Sequence, residues 1–344
     1  MTGPAGALGA PHSQAAAPTS REMGRREWRY VARRAWHGFL RHRGVDSAAA
    51  LTFFAALSLF PAALVLVSVF AIADSRTNAA DDVLAVIGEF AQQSTVDALR
   101  DPLQQLVHIP NPGIALLVGL AFTLWTASAY ATAFGRAMNA VYEVQEGRQI
   151  WKFRGLMLLV TVVPIVGFSL IVTLLFLTPT IAAAIGAEVG FGEPWITLFN
   201  VLKWVAIAAI AFGLVAMLFY FTPNVTHQRL RWVSYGSAFA VLVWALATAG
   251  FAVYIFTVGQ YERVYGWLGG GVVTLLWLYL TNIVMVIGAE VDAEIVRARQ
   301  LLAGIESEEV IRIPVRDTAR NLMLARQRSA DVAEGREIRE NAAQ

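Results

Sequence analysis

Long uncharged apolar stretches alternate with short charged ones along almost the whole chain. Six segments contain no Asp, Glu, Lys or Arg: residues 47–73, 102–135, 155–187, 204–228, 232–261 and 264–289. Each exceeds the roughly 20 apolar helical residues that cross a bilayer core of about 30 Å. The pattern predicts an all-α, polytopic membrane protein with six transmembrane helices, over about 47–73, 113–135, 156–178, 204–222, 235–258 and 268–289. Pro61 falls inside the first span and Pro164 inside the third. In a membrane bundle, neighbouring groups satisfy the carbonyl that a proline frees, so a kink is expected rather than a break. Thr123, Ala127, Ala131 and Gly135 recur every four residues in the second span. Such a stripe of small residues lets another helix approach closely.

The segments flanking the spans are of a different kind. Residues 1–20, rich in Ala, Gly, Pro and Ser, are expected to form a disordered tail, with no cleavable export signal. Residues 21–45 carry eight arginines around Trp28, Val31, Ala32, Ala35, Trp36, Phe39 and Leu40 at helical spacing. That predicts a basic amphipathic helix lying in the interface against anionic headgroups. Residues 46–295 form the six-helix domain, and 296–344 a charged cytoplasmic tail with helical pieces but no independent domain. Within 74–112, Val83, Leu84, Ile87 and Phe90 suggest a short amphipathic helix outside the bilayer.

Composition narrows the picture. Of the 344 residues 57% are hydrophobic and 15% charged, with a net charge of +2, where a soluble domain carries about 25% charged residues. No basic face suited to nucleic acid emerges, and the absence of cysteine removes disulfides and thiolate chemistry. The cations are placed asymmetrically. With the N-terminus inside, 23 Lys and Arg fall on the cytoplasmic side and 4 on the other, counting Lys203 at the margin as an interface anchor. The positive-inside rule then puts both termini in the cytoplasm of a multi-pass protein of the inner membrane.

Candidate chemistry is sparse. There is no HExxH, GxSxG, GxxxxGK or dinucleotide glycine pattern. No catalytic, cofactor-binding or metal-binding residue is assigned and no cofactor is expected. Histidines 12, 37, 42, 108 and 227 pair with no carboxylate at ligand spacing, and His108 reads as a solvated loop residue. The residues left to line a pathway or brace the packing are Pro61, Asn139, Tyr142, Asn282, Glu290 and Glu294. Asn282, mid-span, must find a hydrogen-bond partner. Glu290 and Glu294 share a helical face while Asp292 points away; they either exchange protons or a cation, or pair at the rim with Arg297, Arg299 or basic loops. Asp46 is placed to cap the first span.

Several phrases resemble one known family. They are Ala48-Ala49-Ala50-Leu51-Thr52-Phe53-Phe54 leading to Ser58-Leu59-Phe60-Pro61, then Trp125, Ala137 to Tyr142, and Tyr220-Phe221-Thr222-Pro223-Asn224. Tyr265-Gly266-Trp267-Leu268-Gly269-Gly270 follows, with Leu276-Trp277-Leu278-Tyr279-Leu280 and Gly288-Ala289-Glu290. In this order, over roughly 35–295, the sequence resembles the YihY/BrkB family, once labelled ribonuclease BN. The resemblance adds Tyr265, Gly266 and Trp277 to the pathway or packing residues. It implies a six-helix inner-membrane protein connected with envelope integrity, serum resistance or export of amphiphilic envelope material. Three functions stay open: transport of lipid or amphiphilic solutes, a structural or scaffolding role, and RNA processing, for which no His/Asp constellation is seen. Expected partners are membrane lipids, anionic headgroups at the basic N-terminal helix and a second copy of the chain; nucleic acid is not among them.

Overall fold

A computed structural model of the protein describes residues 23–73, 84, 88, 96, 97, 100, 101, 104, 111–176, 193–226, 235–257 and 269–342. The described residues form eight long helices: α1 (Arg25–Arg41), α2 (Gly44–Ala73), α3 (Pro112–Val141), α4 (Ile150–Phe176), α5 (Glu193–Phe221), α6 (Tyr235–Thr257), α7 (Gly269–Leu302) and α8 (Ala319–Asn341). Helices α2 to α7 are the six long and apolar enough to cross a membrane. Their outer faces carry Phe60, 80% exposed, and Leu117, 68% exposed. Such surfaces are stable only where lipid is the solvent. Pro61 and Pro164 both sit inside helices that run on through them. Tyr265, Gly266, His108 and most of the amphipathic segment in 74–112 lie outside the described residues.

Each spanning helix packs on the next in the chain, and α7 returns to α2, so the six follow one another round a ring. Burial is uneven along its axis. At the end carrying α1, the buried core combines Phe39 of α1, Leu51 of α2, Phe134 and Met138 of α3, Phe219 of α5, Ala240 of α6 and Met285 and Ala289 of α7. Towards the other end α2 and α3 stay packed, and a Cβ on Gly119 would meet Leu64 and Val65 at 3.2 Å. Elsewhere the ring loosens. No described side chain of α4 beyond Thr161, of α6 beyond Ala240, or of α7 over 270–281 is buried. Among the described residues, burial is dense at the end carrying α1, the closed end, and sparse along α4, α6 and α7 towards the other.

The small-residue stripe of α3 works as a contact face. Ala131 is buried with Phe153 and Met157 of α4, and a Cβ on Gly135 would meet the Thr222 carbonyl at 3.2 Å. Helix α7 carries on past its span, as the helical face shared by Glu290 and Glu294 requires. Its 34 residues extend about 51 Å at 1.5 Å per residue, well past the apolar stretch ending near residue 289. Asp46 does not cap α2. It lies in the first turn, exposed, and pairs with Arg43 at 2.9 Å. Arg43 takes a positive φ of 56° in the corner between α1 and α2. Lys203 is buried, with its Nζ 5.7 Å from the Trp204 ring centre.

The segment after α7 contains no apolar run, yet it is folded onto the closed end. Ile311 enters the core, Thr226 N–H donates to the Pro314 carbonyl at 2.7 Å, and Val225 bridges Val315. Arg316 donates to the carbonyls of Tyr220 and Val225 at 2.7 Å each. Carbonyls at a helix C-terminus have no partner within the helix, so this guanidinium completes the end of α5. Arg148 assists by donating to the Thr222 carbonyl at 2.7 Å. Burial and the nearby Arg148 pull the Arg316 pKa below its ordinary value. Arg316→Ala is expected to cost about 1–3 kcal/mol, the range for stranding buried polar groups. Limited proteolysis should cut the 303–318 segment faster in that variant. Helix α8 follows with no buried residue.

Candidate functional site at the closed end

Helix α1 carries two opposed faces. Val31, Ala35, Gly38 and Phe39 are buried, with Val31 against Ile295 and Ala298 of α7, while Trp36 and Leu40 stay exposed among arginines. Part of the apolar stripe expected to enter lipid is therefore taken up by protein. Beside it run two polar rows: Arg34 and Arg41 on α1 with His42 capping its end, and Glu290, Glu294 and Arg297 on α7. Residues four or seven apart share a face, so the rows meet along their length.

His42 Nδ1 lies 2.8 Å from Glu290 Oε1. Arg34 Nε lies 3.3 Å from Glu294 Oε2. Arg297, fully buried, reaches Glu294 at 3.1 Å, Glu143 at 3.0 Å and the Ser307 carbonyl at 2.7 Å. Glu143, at the end of α3, also lies 3.6 Å from Arg41 and 3.9 Å from His42 Nε2. Its backbone sits at φ 56°, where the chain leaves the helix. Two carboxylate oxygens in this cluster, Glu290 Oε2 and Glu143 Oε2, are buried without a hydrogen-bond partner.

On the other side of α7, Asp292 accepts from the Tyr142 hydroxyl at 2.8 Å and from the Gly236 amide at 3.3 Å. Burial first, and then the adjacent Asp292 carboxylate, raise the Tyr142 phenol well above its ordinary pKa and keep it a donor. Asn139 links the loops of this end. Its side chain donates to Glu146 and accepts from the Asn224 amide, both at 2.7 Å. Asn224 in turn donates to the Gln145 and Asp317 carbonyls.

Asn282 sits deeper in the bundle. Its Oδ1 accepts from the Tyr130 hydroxyl at 2.9 Å, and its Nδ2 donates to Thr52 at 3.2 Å and the Leu278 carbonyl at 2.9 Å. This ties α7 to α2 and α3. Hydrogen bonds between membrane helices are modest, so Asn282→Leu is expected to cost about 0.6–2 kcal/mol, measured by denaturant unfolding in micelles. Trp277 packs beside Trp244 with ring centres 6.4 Å apart and donates to Thr248 at 3.3 Å, joining α7 to α6.

Of the residues singled out from sequence, Asn139, Tyr142, Glu290 and Glu294 gather at the closed end, Trp277 and Asn282 brace helix pairs, and Pro61 lies apart in α2. His42 is a correction: it pairs with Glu290 across 248 positions, a separation that ligand spacing cannot detect. Arg297 takes up Glu294, as the rim pairing expects, and Glu143 joins it from the end of α3. The available signal was the complementary charge of the two rows on α1 and α7. Among the described residues, no group of three or more His, Asp or Glu is placed to hold a metal ion.

Similar proteins give the fold its context. The chain is 28% identical over 264 residues to a protein of Bacillus subtilis named ribonuclease-like protein YfkH, spanning 76% of this chain and 93% of that one. It is 26% identical over 278 residues to a UPF0761 membrane protein of Aliivibrio fischeri, covering 77% and 83% of the two chains. A UPF0761 membrane protein of Alkalilimnicola ehrlichii matches at 26% over 275 residues, 76% of this chain and 56% of its own. No solved structure matches the chain. The family model described as virulence factor BrkB spans residues 35–309, and this multi-pass membrane protein belongs to that family.

Proposed function

We propose that the protein handles lipids or other amphiphiles, admitting an apolar chain into the open half of the helix ring. One observation supports this above the others: among the described side chains, burial thins out partway along α4, α6 and α7. A purely structural bundle gains most by burying its helices along their whole length. The open half also suits an apolar guest better than an ion. Ser169, Thr173, Thr257 and Thr274 spend their hydroxyls on backbone carbonyls of their own helices, and α6 and residues 269–289 carry no charge. The charge asymmetry favours the closed end facing the cytoplasm of the inner membrane, with the exposed arginines of α1 against anionic headgroups.

The test is reconstitution. Purified protein in vesicles should speed the transbilayer movement of a labelled lipid or single-chain amphiphile above protein-free vesicles. Helical protein that moves none of a broad panel sinks the proposal. A scaffold reading has its own support, since Asn282 and Glu290 are both bonded into neighbouring helices. Removing residues 319–344, the helix α8 that buries nothing, separates the two: a scaffold loses its cellular role with that segment, whereas the transbilayer assay would retain activity if the bundle alone carries it.

A further inference from the structure

Beyond amphiphile handling, we propose that Glu290, His42 and Glu143 form a proton-exchange site that runs from the core of the closed end to its surface. The three side chains stand in order of exposure. Glu290 is 1% exposed, His42 14% and Glu143 18%. His42 bridges them with its two nitrogens, Nδ1 at 2.8 Å from Glu290 and Nε2 at 3.9 Å from Glu143. A carboxyl, an imidazole and a second carboxyl in line make a chain of groups each able to accept and release a proton.

The charges around the chain are unequally compensated. Glu143 has Arg41 at 3.6 Å and Arg297 at 3.0 Å. Glu294, one turn beyond Glu290, has Arg34 at 3.3 Å and Arg297 at 3.1 Å. Asp292 on the far face of α7 is taken by Tyr142 and the Gly236 amide. Glu290 has His42 as its one hydrogen-bond partner, with Arg41 attracting it only at longer range and Glu294 repelling it, and its Oε2 is buried with no partner. That oxygen faces Gly38, where even a Cβ would collide with it, and the Gly38 amide belongs to the α1 ladder. The glycine thus leaves room for an oxygen while offering it no donor. A buried charge with one partner is the one whose loss costs the fold least, so the variable proton belongs on Glu290.

The transfer balances without a further reactant. The O–H of a protonated Glu290 breaks as N–H forms at His42 Nδ1, and the imidazolium then releases the proton on Nε2 to Glu143 through one water, or after a small turn of the side chains, across the 3.9 Å that separates them. Uptake from solvent at Glu143 runs the same steps in reverse and restores the first tautomer.

The experiment needs no transported substrate, so its failure is separate from failure of the amphiphile reading. Full-length protein in lipid nanodiscs is stepped from alkaline to acid buffer and followed by infrared difference spectroscopy. A protonated-carboxyl band should grow, move on exchange into deuterium oxide, and be missing in Glu290→Gln. His42→Gln should keep the band but slow its appearance after a pH jump by about a hundredfold, the lower range for a positioned proton carrier. That rate decides the matter if Glu290→Gln does not fold, because a merely structural histidine would leave it unchanged. Either a band that survives in folded Glu290→Gln, or an unchanged rate in His42→Gln, overturns the proposal.

Discussion

Replacing Arg297 with Met is expected to destabilise the folded bundle by about 3–5 kcal/mol, the cost of breaking a buried ion pair from one side. Arg297 is 1% exposed and Glu294 2%, so water cannot compensate the carboxylate left behind. The guanidinium also donates to Ser307, which anchors the segment after α7, and to Glu143 at the end of α3. One substitution therefore loosens three contacts that hold α7, α3 and the 303–318 segment together. Lys should not rescue the site, because an ammonium cannot reproduce the planar fork that reaches three acceptors. Removing Arg34 should cost far less. It reaches Glu294 from a position 23% exposed, where solvent screens the pair. Unfolding in mixed micelles, followed by circular dichroism, would rank the variants. A loss for Arg297→Met no larger than that for Arg34→Met would mean that water enters the cluster.

This cluster marks where sequence stops being informative. The six spans were legible because lipid demands about 20 apolar residues each, and their absence of charge is a local property of the chain. The identity of α1 as a helix was equally local, since Val31, Ala35 and Phe39 recur at its period. Which way that stripe faces was not local. A tryptophan-bearing amphipathic helix satisfies a membrane surface and a protein groove alike, and contact with Ile295 and Ala298, over 250 positions away, puts the Val31 side of the stripe in a groove while Trp36 and Leu40 stay exposed. His42 illustrates the same gap. The carboxylates at 290, 292 and 294 are visible as a group, but their division among His42, Tyr142 and Arg297 follows from how α7 is rotated between α1 and α6. The docking of residues 303–318 was hidden for another reason: its affinity comes from Arg316 completing the carbonyls of α5, and backbone carbonyls leave no mark in sequence.

Gly236→Ala is expected to separate α6 from α7 at the closed end and to cost about 1–3 kcal/mol through overpacking. A Cβ at Gly236 would collide with the Asp292 Cβ and stand 2.7 Å from the Gly288 carbonyl. The second obstacle is backbone, which no rotamer change can move aside. The reciprocal site is similar: a Cβ at Gly288 would lie 2.5 Å from that of Ala240 and 3.3 Å from the Gly236 carbonyl. Two backbones approach closely here because both helices place glycine at the crossing, and that approach brings the Gly236 amide to Asp292. Parting them would also disturb the Tyr142 hydroxyl that shares this carboxylate. The same helices supply their own controls. Gly250 in α6 and Gly271 in α7 have nothing within 4 Å of an added Cβ. Gly→Ala there should be neutral or slightly stabilising, because alanine is the better helix former by about 1 kcal/mol. If all four alanine variants melt together, the α6/α7 crossing is not a close backbone contact. If Gly236→Ala and Gly288→Ala fall while the controls hold, the closed end depends on a glycine crossing that keeps Asp292 and Tyr142 bonded.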